Sequence, residues 1–223
     1  MKLQDKIQYS VLESVRKTEN NASVLFMFHG YGSNKEDLLG LASELGLPFQ
    51  VVSLQAPRPV DMGGWMEGYA WFDIDFQQGS IGFNKLEVEE SILVTQEFIH
   101  QFIQFQKIHP SKVFLLGFSQ GTIIAQGIYF SKPDLISGMA LLSGAAMGDD
   151  SGKSISETKN TKDFPVFVSH GVYDPVLNIQ NGRNLREFYQ RLRVNLTYQE
   201  YRMGHEINAD CLQDLRGWFS RFV

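Results

Sequence analysis

Four short runs in this chain are continuously apolar, Val24–Phe28, Val113–Leu116, Met139–Leu142 and Val166–Val168, and a fifth, Val51–Leu54, is broken only by Ser53. Each is bounded by Gly, Pro, Ser or a polar residue. Strands without polar alternation are buried on both faces, the condition of a parallel sheet covered by helices on either side. Two more polar runs, Ile7–Val15 and Leu196–Tyr201, are expected nearer the sheet edges. Helical patterns lie between the runs. Within Glu87–Ile108, Val88, Ile92, Thr95, Ile99 and Phe102 recur at steps of four and three, which makes one helix face, and Pro110 stops it. Asn178–Arg193 and Asn208–Phe222 are amphipathic in the same way. Strands alternating with helices predict an α/β sandwich with a mostly parallel sheet and helices on both faces.

A length of 223 residues suits one domain over residues 1–223. The polar stretch Gly148–Asp163 reads as an exposed loop, because each side alone would leave an incomplete sheet. Hydrophobic residues make up 43% and charged residues 20%, which excludes a disordered chain. The formal charge of −5 leaves no basic face for nucleic acid. A single cysteine, Cys211, excludes an internal disulfide and a cysteine-rich metal cluster. Met1–Ser14 lacks the apolar stretch of a signal peptide, and no run is long enough to span a bilayer. A cytoplasmic protein without membrane insertion is expected.

The sharpest motif is Gly117-Phe118-Ser119-Gln120-Gly121, between the strand-like Val113–Leu116 and the helix-compatible Thr122–Phe130. This is the strand–turn–helix setting of a nucleophile elbow, in which small residues permit a tight turn that holds the serine hydroxyl at the sheet edge. The same spacing also occurs in ordinary strand-to-helix turns with glycines for close packing.

A serine hydroxyl needs a base. In an elbow of this kind the chain order is Ser, acid, His. Of the histidines only His170 and His205 follow Ser119. His170 ends a strand, and choosing it would leave no strand–loop–helix unit after the base. His205 lies between the last strand-like run and the last helix. The acid must fall between the two. Asp174 follows Val166–Val168 on a carboxyl-end loop, while Asp149 and Asp150, after Met139–Leu142, are the runners-up. For the oxyanion, Gln120 supplies one backbone N–H as the residue after the nucleophile. Tyr31, in the glycine-rich loop after Val24–Phe28, supplies the second. His29 is expected to brace that loop.

Together, His29-Gly30-Tyr31-Gly32, the Gly117–Gly121 motif, His170-Gly171 followed by Asp174-Pro175-Val176, and Gly204-His205 resemble the phospholipase/carboxylesterase family, which includes the acyl-protein thioesterases. Leu54-Gln55-Ala56-Pro57 and Trp71-Phe72-Asp73 resemble two further family segments. The matches run in order from residue 24 to 206. The resemblance implies an α/β-hydrolase fold with little or no cap domain and Ser119, Asp174 and His205 as the triad. It also implies hydrolysis of carboxylic esters or thioesters without cofactor or metal.

Met62, Trp65, Met66, Tyr69, Trp71 and Phe72 form a dense apolar stretch. Trp65, Met66, Trp71 and Phe72 are expected to wall an acyl pocket, with a packed loop or core strand as the competing reading. Gly148–Ser154 has phosphate-loop character but is one residue short between its glycines. The expected partner is a small-molecule ester or thioester, and a homo-oligomer is compatible with the sequence. The alternative function is a non-catalytic hydrolase-fold protein that binds an apolar ligand or partner.

Overall fold

The computed structural model describes residues 7–13, 23–63, 67–77, 80–147 and 161–223. The strands are β1 (Tyr9–Leu12), β2 (Ser23–Phe28), β3 (Phe49–Leu54), β4 (Arg58–Asp61), β5 (Glu67–Ala70), β6 (Ile74–Gln77), β7 (Ser80–Phe83), β8 (Val113–Phe118), β9 (Gly138–Leu142), β10 (Pro165–Gly171) and β11 (Asn195–Tyr201). The α-helices are α1 (Leu39–Leu45), α2 (Lys85–Gln106), α3 (Gly121–Ser131), α4 (Ile179–Arg191) and α5 (Ala209–Phe219). Among the described residues, the main sheet has the order β1-β3-β2-β8-β9-β10-β11. All its pairs are parallel except β1 with β3.

Burial follows the apolar runs. β2, β9 and β10 are buried at every position, whereas β1 and β11 consist mostly of exposed and half-buried residues and form the two edges. Successive side chains point to opposite faces. Val24, Phe26 and Phe28 therefore join one core, and Leu25 and Met27 join the other. The first core is covered by α2, α3 and α4, whose Ile99, Ile128 and Leu185 are fully buried there. The second lies under α1 and α5 through Leu45, Leu215 and Phe219. Val88, Ile92, Thr95, Ile99 and Phe102 of α2 are all buried, as their spacing required. Asn84, Asn178 and Asn208 cap α2, α4 and α5 by accepting backbone N–H groups of the first turn.

Two hairpins, β4–β5 and β6–β7, and the short helix α1 are additions to the sequence reading. Pro59 breaks any apolar run in β4, and the alternations Ile74-Asp75-Phe76-Gln77 and Ser80-Ile81-Gly82-Phe83 in β6 and β7 are only four residues long, the weakest signal a strand can give. No helix among the described residues is long and apolar enough to cross a membrane.

Candidate active site

Ser119 follows β8 directly and has φ +52, a left-handed conformation rare for a residue with a Cβ. Such a backbone costs on the order of 1–3 kcal/mol and persists only where its surroundings hold it. Here the Ser119 N–H donates to Leu142 O at 2.9 Å, and Ser119 O accepts from Thr122 N at 3.1 Å and Thr122 Oγ1 at 2.7 Å. The flanking glycines are required by space. A Cβ at Gly117 would collide with the Gly121 carbonyl, and one at Gly121 with the Phe28 carbonyl. The elbow therefore presses α3 against β2, and Ser119 stands at the carboxyl edge of the sheet.

Register brings the other two groups to the same edge. β10 and β11 pair in parallel, with Gly171 opposite Tyr201, so the loops after both strands leave side by side. Val172 N donates to Tyr201 O at 2.8 Å and Tyr173 N to Met203 O at 3.1 Å. These loops carry Asp174 and His205. His205 Nε2 lies 2.8 Å from Ser119 Oγ, and His205 Nδ1 lies 2.7 Å from Asp174 Oδ2. A carboxylate is an acceptor, so Nδ1 carries the proton and the neutral ring offers Nε2 to the serine hydroxyl. The side chain of Asp174 is fully buried, and its Oδ1 accepts from Val176 N and Leu177 N, both at 2.9 Å. A buried carboxylate is held only with such donors. The series can take a proton from the hydroxyl onto the ring while the carboxylate fixes the ring's orientation.

His170 is not in this series. It is completely buried, its Nε2 donates to Leu177 O at 2.7 Å, and Asp174 Oδ2 lies 3.5 Å from that same nitrogen. Leu177 thus holds both Asp174 and His170, and fastens the acid loop. Asp149 and Asp150 lie outside the described residues.

The loop after β2 runs beside the serine, since a Cβ at Gly30 would sit 3.3 Å from Ser119 Cβ. Among the described residues neither the Tyr31 nor the Gln120 N–H donates to a backbone carbonyl. His29 supports this loop from beneath. Its Nε2 accepts the Ala56 N–H at 3.1 Å, so its Nδ1 is the protonated nitrogen and donates to Gly30 O at 2.7 Å. Burial lowers the His29 pKa, opposed by that Gly30 bond and by Asp37, and keeps the ring neutral.

The aromatic stretch divides. Trp65 and Met66 lie outside the described residues. Trp71 and Phe72, expected as pocket walls, are instead packed into the core at 0% and 4% exposure. The physical reason is hydrogen bonding that the sequence did not disclose. The Trp71 indole donates to His29 O at 2.9 Å, and the buried Gln120 side chain bonds the backbone of both residues. Sequence points to Gln120 only through its backbone amide. A glutamine at a position with no room for exposure was the only available signal of its second role. Among the described residues no group of three or more His, Cys, Asp and Glu is placed to hold a metal ion.

Residues 9–222 match the Phospholipase/Carboxylesterase family. The acyl-protein thioesterase 1 of Kluyveromyces lactis is 30% identical over 216 residues, covering 92% of this chain and 94% of that protein. Among solved structures, esterase PE8 has a TM-score of 0.83 at 21% identity, covering 98% of this chain and 100% of the other. A carboxylesterase of Bacillus cereus has a TM-score of 0.75 at 18% identity, covering 97% and 95%. The structural likenesses show the α/β-hydrolase fold.

Proposed function

The chain belongs to the phospholipase/carboxylesterase family, and from that premise we propose a serine hydrolase that cleaves small-molecule carboxylic esters or thioesters through an acyl-enzyme on Ser119. Residues 1–223 act as one domain in this reading. The observation that carries it is the hydrogen-bonded series Ser119 Oγ, His205 and Asp174, with contacts of 2.8 and 2.7 Å. Ser119 Oγ attacks the substrate carbonyl carbon, and its proton passes to His205 Nε2. The oxygen that gains the negative charge is met by the Tyr31 and Gln120 N–H groups. Collapse of the tetrahedral species breaks the bond to the leaving alcohol or thiol, which takes the proton from Nε2. Water then repeats the attack on the acyl-enzyme, releases the acid and restores Ser119. Asp174 keeps Nδ1 protonated and stabilises the imidazolium formed in each half.

The acyl side is assigned to Trp65 and Met66, which connect β4 to β5. Support comes from Tyr69 of β5, whose backbone bonds Gly32 and Ser33 beside the proposed oxyanion donors.

A fluorophosphonate probe tests the nucleophile. The expected result is a single adduct that maps to Ser119 and disappears in Ser119→Ala. An adduct elsewhere, or none in a folded protein that also hydrolyses no ester or thioester, overturns the proposal.

A further inference from the structure

A cleft of about 430 Å³ opens against His205, between the start of α1 and the start of α5. Its floor is apolar, made by Leu41 of α1, Phe118 of the elbow and Leu212 of α5. The Phe118 and His205 rings are in contact, with centroids 5.0 Å apart. Three carboxylates line the cleft, Asp37, Glu44 and Glu206, and among the described residues that line it none is Lys or Arg. The start of α5 faces it too, with a partial positive charge of about half a unit. That end is already occupied: Asn208 Oδ1 accepts the Cys211 N–H at 2.9 Å, and Asp210 lies in the first turn. The balance of charge is negative over an apolar floor.

We infer that this cleft receives the leaving-group half of the substrate and favours a small organic cation, an alcohol or thiol that carries an ammonium group. The inference rests on the hydrolase reading above. The leaving atom must reach His205 Nε2 to take its proton, and this cleft has His205 and Phe118, the residue before Ser119, in its lining. An ammonium with its carbon arms matches both features: the arms cover Leu41, Phe118 and Leu212, and the charge faces the carboxylates. The size of the cleft accommodates such a group whole.

The test compares two thioesters with the same butyryl group, butyrylthiocholine and its neutral isostere S-(3,3-dimethylbutyl) thiobutyrate. At low ionic strength kcat/KM is expected to favour the cation by roughly tenfold, the combined effect of exposed charges worth a few-fold each. In about 0.5 M salt, where screening acts within about 4 Å, the ratio should approach one. The triple variant Asp37→Asn, Glu44→Gln, Glu206→Gln should also bring the ratio near one. A control triple of equal charge outside the cleft, Glu97→Gln, Asp163→Asn, Glu187→Gln, should keep it. The neutral thioester serves as the internal reference for folding and chemistry in every variant. A ratio near one in the wild type overturns the inference. So does a ratio that survives the cleft triple or is lost equally in the control triple. If the neutral thioester is hydrolysed in those cases, the hydrolase reading stands and only the cleft's assignment fails. If neither thioester is hydrolysed and Ser119 takes no probe, both fail together.

Discussion

The Gln120 carboxamide holds Trp71 from 49 positions away: its Oε1 accepts the Trp71 N–H at 2.9 Å, and its Nε2 donates to Phe72 O at 2.6 Å. Trp71 in turn donates its indole N–H to His29 O. The residue after Ser119 is thereby tied through one tryptophan to the loop that carries Tyr31. Gln120→Ala keeps the backbone N–H but strands two buried backbone groups, each at about 1–3 kcal/mol. We expect a loss of about 2–4 kcal/mol in urea unfolding and a fall in turnover of up to about 100-fold from misplaced donors. Unchanged stability and turnover would show that the tether is idle.

For the proposed triad, the order of losses is informative. Ser119→Ala should lower turnover by ~10⁴–10⁶. Asp174→Asn keeps an oxygen for the Val176 and Leu177 amides yet presents an N–H group to His205 Nδ1, favouring the wrong tautomer, at roughly 10⁴ in kcat. Asp149→Asn and Asp150→Asn should leave kcat within a few-fold. Steady-state kinetics on one ester would decide, and a larger loss at Asp149 or Asp150 would remove Asp174 from its role.

His29 links acidity to stability. Its folded pKa is lowered from 6.5, chiefly by burial. The unfolded chain therefore binds a proton near pH 6.5 that the folded chain refuses. The stabilisation is present above that pH, declines as pH falls from 6.5 towards the lowered folded value, and is fully lost below it. Urea unfolding between about pH 7.5 and 5 should show a steeper decline for the wild type than for His29→Gln. Parallel curves would mean that His29 does not set this slope.

Burial separates the two halves of the aromatic stretch. Trp71→Ala empties a fully buried site and should cost about 3–5 kcal/mol, with acetyl and octanoyl ester hydrolysis reduced by similar factors. Met66→Ala should flatten the rise in kcat/KM from acetyl to octanoyl while sparing acetyl hydrolysis, because each buried CH₂ of the acyl chain is worth roughly 0.8 kcal/mol. Equal effects of Met66→Ala on both esters would place the acyl pocket elsewhere.

Local composition determined a good deal about this protein by itself. The largely apolar runs marked β2, β3, β8, β9 and β10 as interior strands, and the mixed polarity of the outer two marked β1 and β11 as edges, because each strand's own residues report how many of its faces meet water. Gly117 and Gly121 announced a turn too tight for a Cβ. Ser119, Asp174 and His205 could be singled out because each follows a strand, and in a parallel sheet the loops after the strands share one edge. Tertiary structure decided what depends on register and on long-range bonds. The pairing of Gly171 with Tyr201 set Asp174 Oδ2 2.7 Å from His205 Nδ1, across 31 residues. Trp71 and Phe72 had the composition of a pocket wall, yet they became core because Gln120 and His29 offered their polar groups partners in the interior. The acidic cleft beside His205 brings together residues from 37 to 212. No local window holds that information, since a side chain's hydrophobicity is its own but its neighbours are chosen by the packing of the whole sheet.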